Sequence, residues 1–279
     1  MSEIVPEDKA SKSRRKVNMP RVTTAIIIVA AILLSIYNGA FGMSILFVII
    51  VIFGGYELSK ILDKPRTSIG SYIHIALAAA PMLYFRSGFA TYNVYTIGVF
   101  ISCILMVFLI INLWMKPIAY EKFKYIFTFF YWGLPFGLST YLLFHTNKDV
   151  KMMFFGIIIL LWTSDTMAYF TGKAIGKIKL FPSVSPGKTR EGSLGAGFFS
   201  VLVGIGLAYV IDGNITKWIV IAITVWIIGT LGDLVESKMK RVQKIKDSGS
   251  ILPGHGGFLD RFDSLVMVIP FLLVFDYFF

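Results

Sequence analysis

The chain of 279 residues is 56% hydrophobic and 15% charged, with a mean hydropathy of +0.74, against about 25% charged residues in an ordinary soluble domain, so a water-soluble globule is excluded. One cysteine and three histidines build neither a disulfide framework nor a Cys/His zinc site, which leaves oxygen ligands for any metal. The formal charge of +11 would suggest nucleic acid in a soluble protein. In this composition it points first to positive-inside topology and anionic lipid.

Apolar runs near the length that crosses about 30 Å of hydrocarbon fall at 22–37, 44–58, 69–85, 92–115, 125–144, 150–171, 194–211, 218–236 and 261–279. They predict an all-α polytopic membrane protein of about nine transmembrane helices. The first two runs are short and separated by Asn38-Gly39-Ala40-Phe41-Gly42, so a single hairpin that does not fully span is the alternative there. Residues 1–21 form a polar basic arm expected on the cytoplasmic side. They carry Glu3, Glu7 and Asp8 among the basic residues, with no small-x-small site after Ile36, so a cleaved signal peptide is not expected.

Residues 22–149 then make an N-terminal membrane region, and 150–279 a C-terminal region that carries the chemistry. Of the 27 Lys and Arg, 23 fall in alternate intervening segments and 4 in the others. This asymmetry predicts a multi-pass protein of the plasma (inner) membrane with a cytoplasmic N-terminus and the last residue on the far side. It also absorbs most of the positive charge, and nucleic acid is not an expected partner.

In the first half Glu57, His74, Arg86 and His145 sit at or near span ends, where snorkelling or capping accounts for them. From Ser164 onward the pattern changes. Ionisable residues recur at the cytoplasmic ends of apolar runs, at about 2.5–3.5 kcal/mol each at the bilayer centre, and a water-filled cavity would explain them. Asp165, in Ser164-Asp165-Thr166, lies inside the sixth run, either as a ligand or paired with a lysine of a neighbouring helix.

The segment Gly172–Gly192 holds Lys173, Lys177, Lys179, Lys188 and Arg190 against Glu191 alone. Turn chemistry at Pro182-Ser183 and Ser185-Pro186-Gly187 interrupts any plain helix. Hydroxyls, glycine-freed N–H groups and cations are what a polyphosphate needs. Gly187-Lys188-Thr189 is not a P-loop, because the first glycine of that motif would fall at Pro182.

The stretch Gly232–Asp263 is the most informative. Asp233 and Glu236 are spaced i, i+3, which predicts both carboxylates on one helix face. Five basic residues follow, then Asp247-Ser248-Gly249, the glycine-rich turn Leu252-Pro253-Gly254-His255-Gly256-Gly257, and a helix that opens with Asp260, Arg261 and Asp263. Paired carboxylates near a helix N-terminus suit Mg²⁺, which takes one or two carboxylates plus water and substrate phosphate. Structural pairing with Arg261 or Lys240 is the competing reading of the same aspartates.

Taken together, Ser237-Lys238-Met239-Lys240-Arg241, Lys246-Asp247-Ser248-Gly249 and Leu252 through Asp263 resemble the signature of the phosphatidate cytidylyltransferases, the CDP-diacylglycerol synthases. Ser164-Asp165-Thr166 with Ala168-Tyr169, and Gly176-Lys177 through Gly192, are similar to a second block of that family. The likeness covers roughly the C-terminal 120 residues. Gly187 and Arg190 depart from it, standing where many members carry a lysine and an aromatic residue.

The resemblance implies that CTP and phosphatidic acid react at the membrane to give CDP-diacylglycerol and pyrophosphate in phospholipid biosynthesis. Asp260 and Asp263 then bind Mg²⁺, Asp233 adds a ligand or serves a second cation, and Lys240, Arg241 and Arg261 neutralise phosphate. Asp247 and His255 complete the catalytic set. Ser164, Asp165, Lys177, Ser185, Lys188, Thr189, Arg190 and Glu191 contribute to substrate binding. A homodimer is left open. The alternatives are a CTP-dependent kinase of a long-chain, polyprenol-type alcohol and an ion-coupled transporter.

Overall fold

The computed structural model describes residues 19–63, 67–116, 118, 120–146, 150–249, 251–252 and 256–275. Among these, nine helical segments stand where the nine apolar runs were expected. They are α1 Met19–Tyr37, α2 Gly39–Leu62, α3 Ser68–Arg86, α4 Tyr92–Asn112, α5 Tyr120–His145, α6 Val150–Ile175, α7 Arg190–Ile211, α8 Ile215–Val242 and α9 Leu259–Phe275. The seven from α2 to α8 are long and apolar enough to cross a membrane. The apolar stretch of α1 is shorter, and α9 has 17 residues and opens with charged side chains. The first two runs are separate helices hinged at Gly39, whose φ of +63° is open to glycine at no steric cost.

Helix starts follow local chemistry. Thr67, Thr91, Thr189 and Asn214 precede α3, α4, α7 and α8, and each side chain accepts a first-turn N–H, from Gly70 (2.9 Å), Val94 (3.4 Å), Gly192 (3.1 Å) and Lys217 (3.0 Å). The all-α expectation needs one amendment. Between α6 and α7 the chain forms a two-stranded antiparallel hairpin, β1 Lys179–Phe181 and β2 Ser185–Thr189, pairing Lys179 with Thr189 and Phe181 with Ser185.

Helices α6, α7, α8 and α9 pack in succession, while α2, α3 and α5 form the other half and α9 lies against both. Close approach relies on small residues set against large ones, as expected where lipid supplies no hydrophobic drive between helices. Gly156 of α6 faces the fully buried Trp218 of α8, and Gly54 of α2 faces Trp132 of α5. The Trp132 indole also donates to the Val51 carbonyl at 3.2 Å. α5 widens to a π-helical turn at Thr128–Gly133, a feature that often marks functional regions.

Two residues of the first half depart from the snorkelling expectation. Glu57 and His74 are completely buried. His74 Nδ1 lies 2.6 Å from Thr128 Oγ1, and its Nε2 lies 3.6 Å from Asp63, which also pairs with Lys124. Apolar runs show where spans lie but not which side chains of a span face other helices. Arg86 and His145 do sit at helix ends, Arg86 over the Phe144 ring at 3.9 Å and His145 stacked on Tyr141 at 4.8 Å.

Candidate active site

The β1–β2 hairpin projects the basic segment over the end of α6. Three contacts hold it. The Arg190 N–H donates to the Ile178 carbonyl at 2.8 Å, and the Glu191 carboxylate accepts from the N–H groups of Lys177 (3.0 Å) and Ile178 (3.1 Å). Phe181 packs edge-on against Trp114 beyond the end of α4, at 5.7 Å. Lys238 of α8 is buried there and donates to the Met115 carbonyl at 2.9 Å and to the Asn112 carbonyl, satisfying the carbonyls left open where α4 ends. The hairpin, the end of α4 and the end of α8 therefore share one face of the bundle.

The carboxylates divide differently from their spacing in sequence. Asp233 points toward the hairpin, where Lys188 Nζ lies 2.6 Å from its Oδ2 and the Ser237 hydroxyl donates to its Oδ1 at 3.1 Å. Glu236, one turn on, is completely buried and faces α9. Lys240 stands between two acids, 2.7 Å from Glu236 Oε2 and 2.7 Å from Asp260 Oδ1. Asp260 also accepts from the N–H of Gly257 (2.9 Å) and of Ser248 (3.2 Å). Asp263 is buried, accepts from the Ser264 N–H at 2.6 Å, and lies on a cavity wall with Asp165 and Arg261, within the electrostatic reach of Asp233 and of Glu236. The facing acids thus come from three helices: Asp165 of α6, Asp233 of α8 and Asp263 of α9.

Two cavities meet at this point. One, of about 500 Å³, is lined by Ser164, Asp165, Tyr169, Lys173, Lys179, Lys188, Thr189, Ser193, Thr230 and Asp233, with glycines 172, 176, 187 and 192 between them. The other, of about 270 Å³, has a wall of Ala25, Ile28, Val29 and Ile32 from α1 and Ile158, Leu161 and Trp162 from α6. It ends at Asp165, Asp260, Arg261 and Asp263. Asp165 is on both walls.

The structure accordingly sorts the sequence candidates. Ser164, Asp165, Lys188, Thr189 and Asp233 come together on the polar cavity, and Asp260, Arg261 and Asp263 on the other. Lys177, Ser185, Arg190 and Glu191 are off the cavity walls, and Glu191 is occupied as the latch of the hairpin. Two candidates have protein partners of their own. Lys240 is buried between Glu236 and Asp260. Asp260 is engaged by that ammonium and by the N–H groups of Gly257 and Ser248, the structural pairing that competes with a ligand role, while it also lines the second cavity beside Asp263.

Arg241 and Asp247 are exposed, and Arg241 donates to the Ile245 carbonyl at 3.2 Å. His255 lies outside the described residues. Lys173 and Lys179, which the sequence marks only as part of the basic segment, join the cavity wall, and so does Thr230, legible only as the residue one helical turn before Asp233.

Among the described residues no group of three or more His, Cys, Asp or Glu side chains converges tightly enough to hold a metal unaided. The donor set still fits a divalent cation that takes one or two carboxylates and completes its shell with water and phosphate. It is all hard oxygen, and Lys188 already places a positive charge at Asp233.

The chain matches the family model described as the cytidylyltransferase family over residues 19–279. Curated relatives include phosphatidate cytidylyltransferases of Staphylococcus aureus (strain COL), 44% identical over 138 residues, and of Staphylococcus haemolyticus (strain JCSC1435), 43% identical over 138 residues; each match covers 49% of this chain and 53% of the relative. A third, from Staphylococcus epidermidis, is 44% identical over 128 residues, 45% of this chain and 49% of the relative. These matches span about half the length of the curated relatives. With the family match running from the first described helix through the last, the chain belongs to the cytidylyltransferase family.

Proposed function

We propose that this protein transfers the cytidylyl group of CTP to phosphatidic acid, giving CDP-diacylglycerol and pyrophosphate. The observation that carries the reading is the position of Asp165 between a polar, lysine-lined cavity and an apolar-walled one. The first suits a nucleoside triphosphate and the second an anionic lipid whose chains remain among α1 and α6. The names of the curated relatives support the same substrates.

The chemistry asks little of the protein in proton transfer. A phosphate monoester carries about 1.5 to 2 negative charges at pH 7, so a phosphatidate oxygen can attack the α-phosphorus directly. The bond from that phosphorus to the bridging oxygen of the β-phosphate breaks, and pyrophosphate leaves. The barrier lies in bringing two polyanions together and in charge growing on the leaving group, so catalysis consists of positioning and electrostatic stabilisation.

Lys188 exchanges its contact with Asp233 for the triphosphate, with Lys173 and Lys179 beside it. The first N–H groups of α7, at the cavity wall near Gly192, add the favourable end of a helix dipole. Arg261 receives the lipid phosphate. Asp165, Asp233 and Asp263 would hold a divalent cation, with Mg²⁺ the expected one. When bound, it supplies charge neutralisation and polarisation at the transferring phosphoryl group.

The basic residues that line the cavities, Lys173, Lys179 and Lys188 in one and Arg261 in the other, belong to the Lys/Arg-rich segments of the chain, which supports a site on the cytoplasmic side of the plasma membrane, where CTP is found. The test uses two labels. α-³²P from CTP should enter the lipid product and γ-³²P should leave in pyrophosphate. γ-³²P in lipid would instead identify an alcohol kinase and overturn the assignment.

A further inference from the structure

We propose that Glu57 of α2 is a positioning residue for the active site: it holds the first turn of α9 and the glycine turns before it in the register that sets Asp263 and Arg261 on the wall of the apolar-walled cavity, beside Asp165. The inference rests on the reaction proposed above for its kinetic part only.

Glu57 is completely buried. Its Oε2 accepts from the Ser248 hydroxyl and from the backbone N–H of Leu259, both at 2.8 Å and both about 200 residues away in sequence. Leu259 opens α9, so the carboxylate satisfies an N–H that no intrahelical partner can reach and sits at the favourable end of the helix dipole. The turns are shaped around it. A side chain at Gly257 would come within 2.6 Å of Oε2, and one at Gly249 would collide with Oε1. One turn earlier on α2, Phe53 packs on Phe258 at 5.4 Å, and Phe258 packs on Phe262 at 5.0 Å. The start of α9 is thus held by a polar and an apolar contact from the same helix.

Asp260 accepts from the same segment. Two carboxylates therefore hold one turn, Glu57 through the Ser248 hydroxyl and the Leu259 N–H and Asp260 through the Ser248 and Gly257 N–H groups. Asp263 lies one helical turn beyond Leu259, and Arg261 between them, so a rotation of that first turn swings both away from Asp165 and Asp233. Glu57 makes no contact of this kind with the β1–β2 hairpin, which carries Lys188. Its loss should therefore affect the groups acting on the transferring phosphoryl more than the binding of CTP.

The test compares Glu57→Leu and Glu57→Gln in purified full-length protein, with melting temperature, steady-state kinetics and amide hydrogen exchange measured on each. Glu57→Leu is expected to lower kcat at least tenfold with KM for CTP within twofold of wild type, and to speed exchange at 256–262 at least tenfold. Glu57→Gln keeps an oxygen that can accept both hydrogen bonds and should retain at least a third of wild-type kcat. Unchanged kcat and exchange in Glu57→Leu, a parallel loss of CTP binding, or a Gln variant as impaired as the Leu variant would each overturn the proposal. If Glu57→Leu does not accumulate in folded form, Ser248→Ala is read instead: at least a threefold fall in kcat with faster exchange at Leu259 supports the clamp, and wild-type values reject it. The exchange result stands even if wild type makes no CDP-lipid, which would count against the reaction alone.

Discussion

Lys188 Nζ lies 2.6 Å from Asp233 Oδ2, joining the hairpin between α6 and α7 to the polar end of α8. Both side chains are about one-third exposed to the cavity, at 27% and 33%, so the pair contributes little to stability and its ammonium can move to a substrate phosphate. Lys188→Ala should therefore leave the melting temperature within about 1 °C of wild type, as expected for a pair of that kind. It should lower kcat/KM for CTP about ten- to two-hundredfold, the loss of one charge-assisted contact of about 1.5–3 kcal/mol. A change below twofold in steady-state assays would remove Lys188 from the site.

Asp263 and Asp260, three residues apart, should fail in different ways. Asp263→Asn keeps the shape but weakens a hard-cation ligand, so turnover should disappear at every Mg²⁺ concentration while expression and melting temperature stay near wild type. Asp260→Ala strips Lys240 and two backbone N–H groups of a shared acceptor. The cost expected for breaking a buried pair is about 3–5 kcal/mol, seen as a large fall in thermal stability in detergent. The reverse pattern, a stable Asp260 variant and an unfolded Asp263 variant, would exchange the two assignments.

At the opposite face Asp212 accepts from Lys217 Nζ (2.7 Å), the Asn214 N–H (3.1 Å) and the Trp218 indole (2.9 Å). Burial pushes its carboxyl up, but the Lys217 ammonium and the N–H donors outweigh this and hold it below the usual carboxylate value. A depressed folded-state pKa stabilises above the unfolded value of about 3.9, and the contribution is lost as pH falls through the folded value. Asp212→Asn should therefore lose up to about 1 kcal/mol at pH 7, with the difference from wild type closing below about pH 4 in thermal melts. A gap that persists at low pH would show that the charge is not its source.

The distribution of basic residues predicts which face is cytoplasmic. A reporter inserted in the 212–214 turn should read as extracytoplasmic, and one at 183 in the hairpin turn as cytoplasmic. The opposite pair of signals would invert the topology and remove CTP access to the cavity.

Much of this architecture is legible in one dimension. Among the described residues the apolar runs place the helical segments to within about six residues, the seven long ones because span length is set by bilayer thickness, and the Thr and Asn caps work through neighbours three residues away. The Gly/Pro/Ser punctuation at 182–187 announces a turn for the same local reason.

Which acids face one another was decided only by the tertiary structure. Residues three apart on an α-helix point about 60° apart around its axis. Asp233 and Glu236 are therefore close in sequence yet meet different neighbours, the hairpin lysine and α9. Asp260 and Asp263 likewise meet different partners, one Lys240 and the glycine turn before α9, the other the Ser264 N–H. Glu57 is the extreme case. Its partners Ser248 and Leu259 are brought to it by the packing of α9 against α2, and no local pattern carries that contact, because burial of a polar side chain depends on what the rest of the chain places around it.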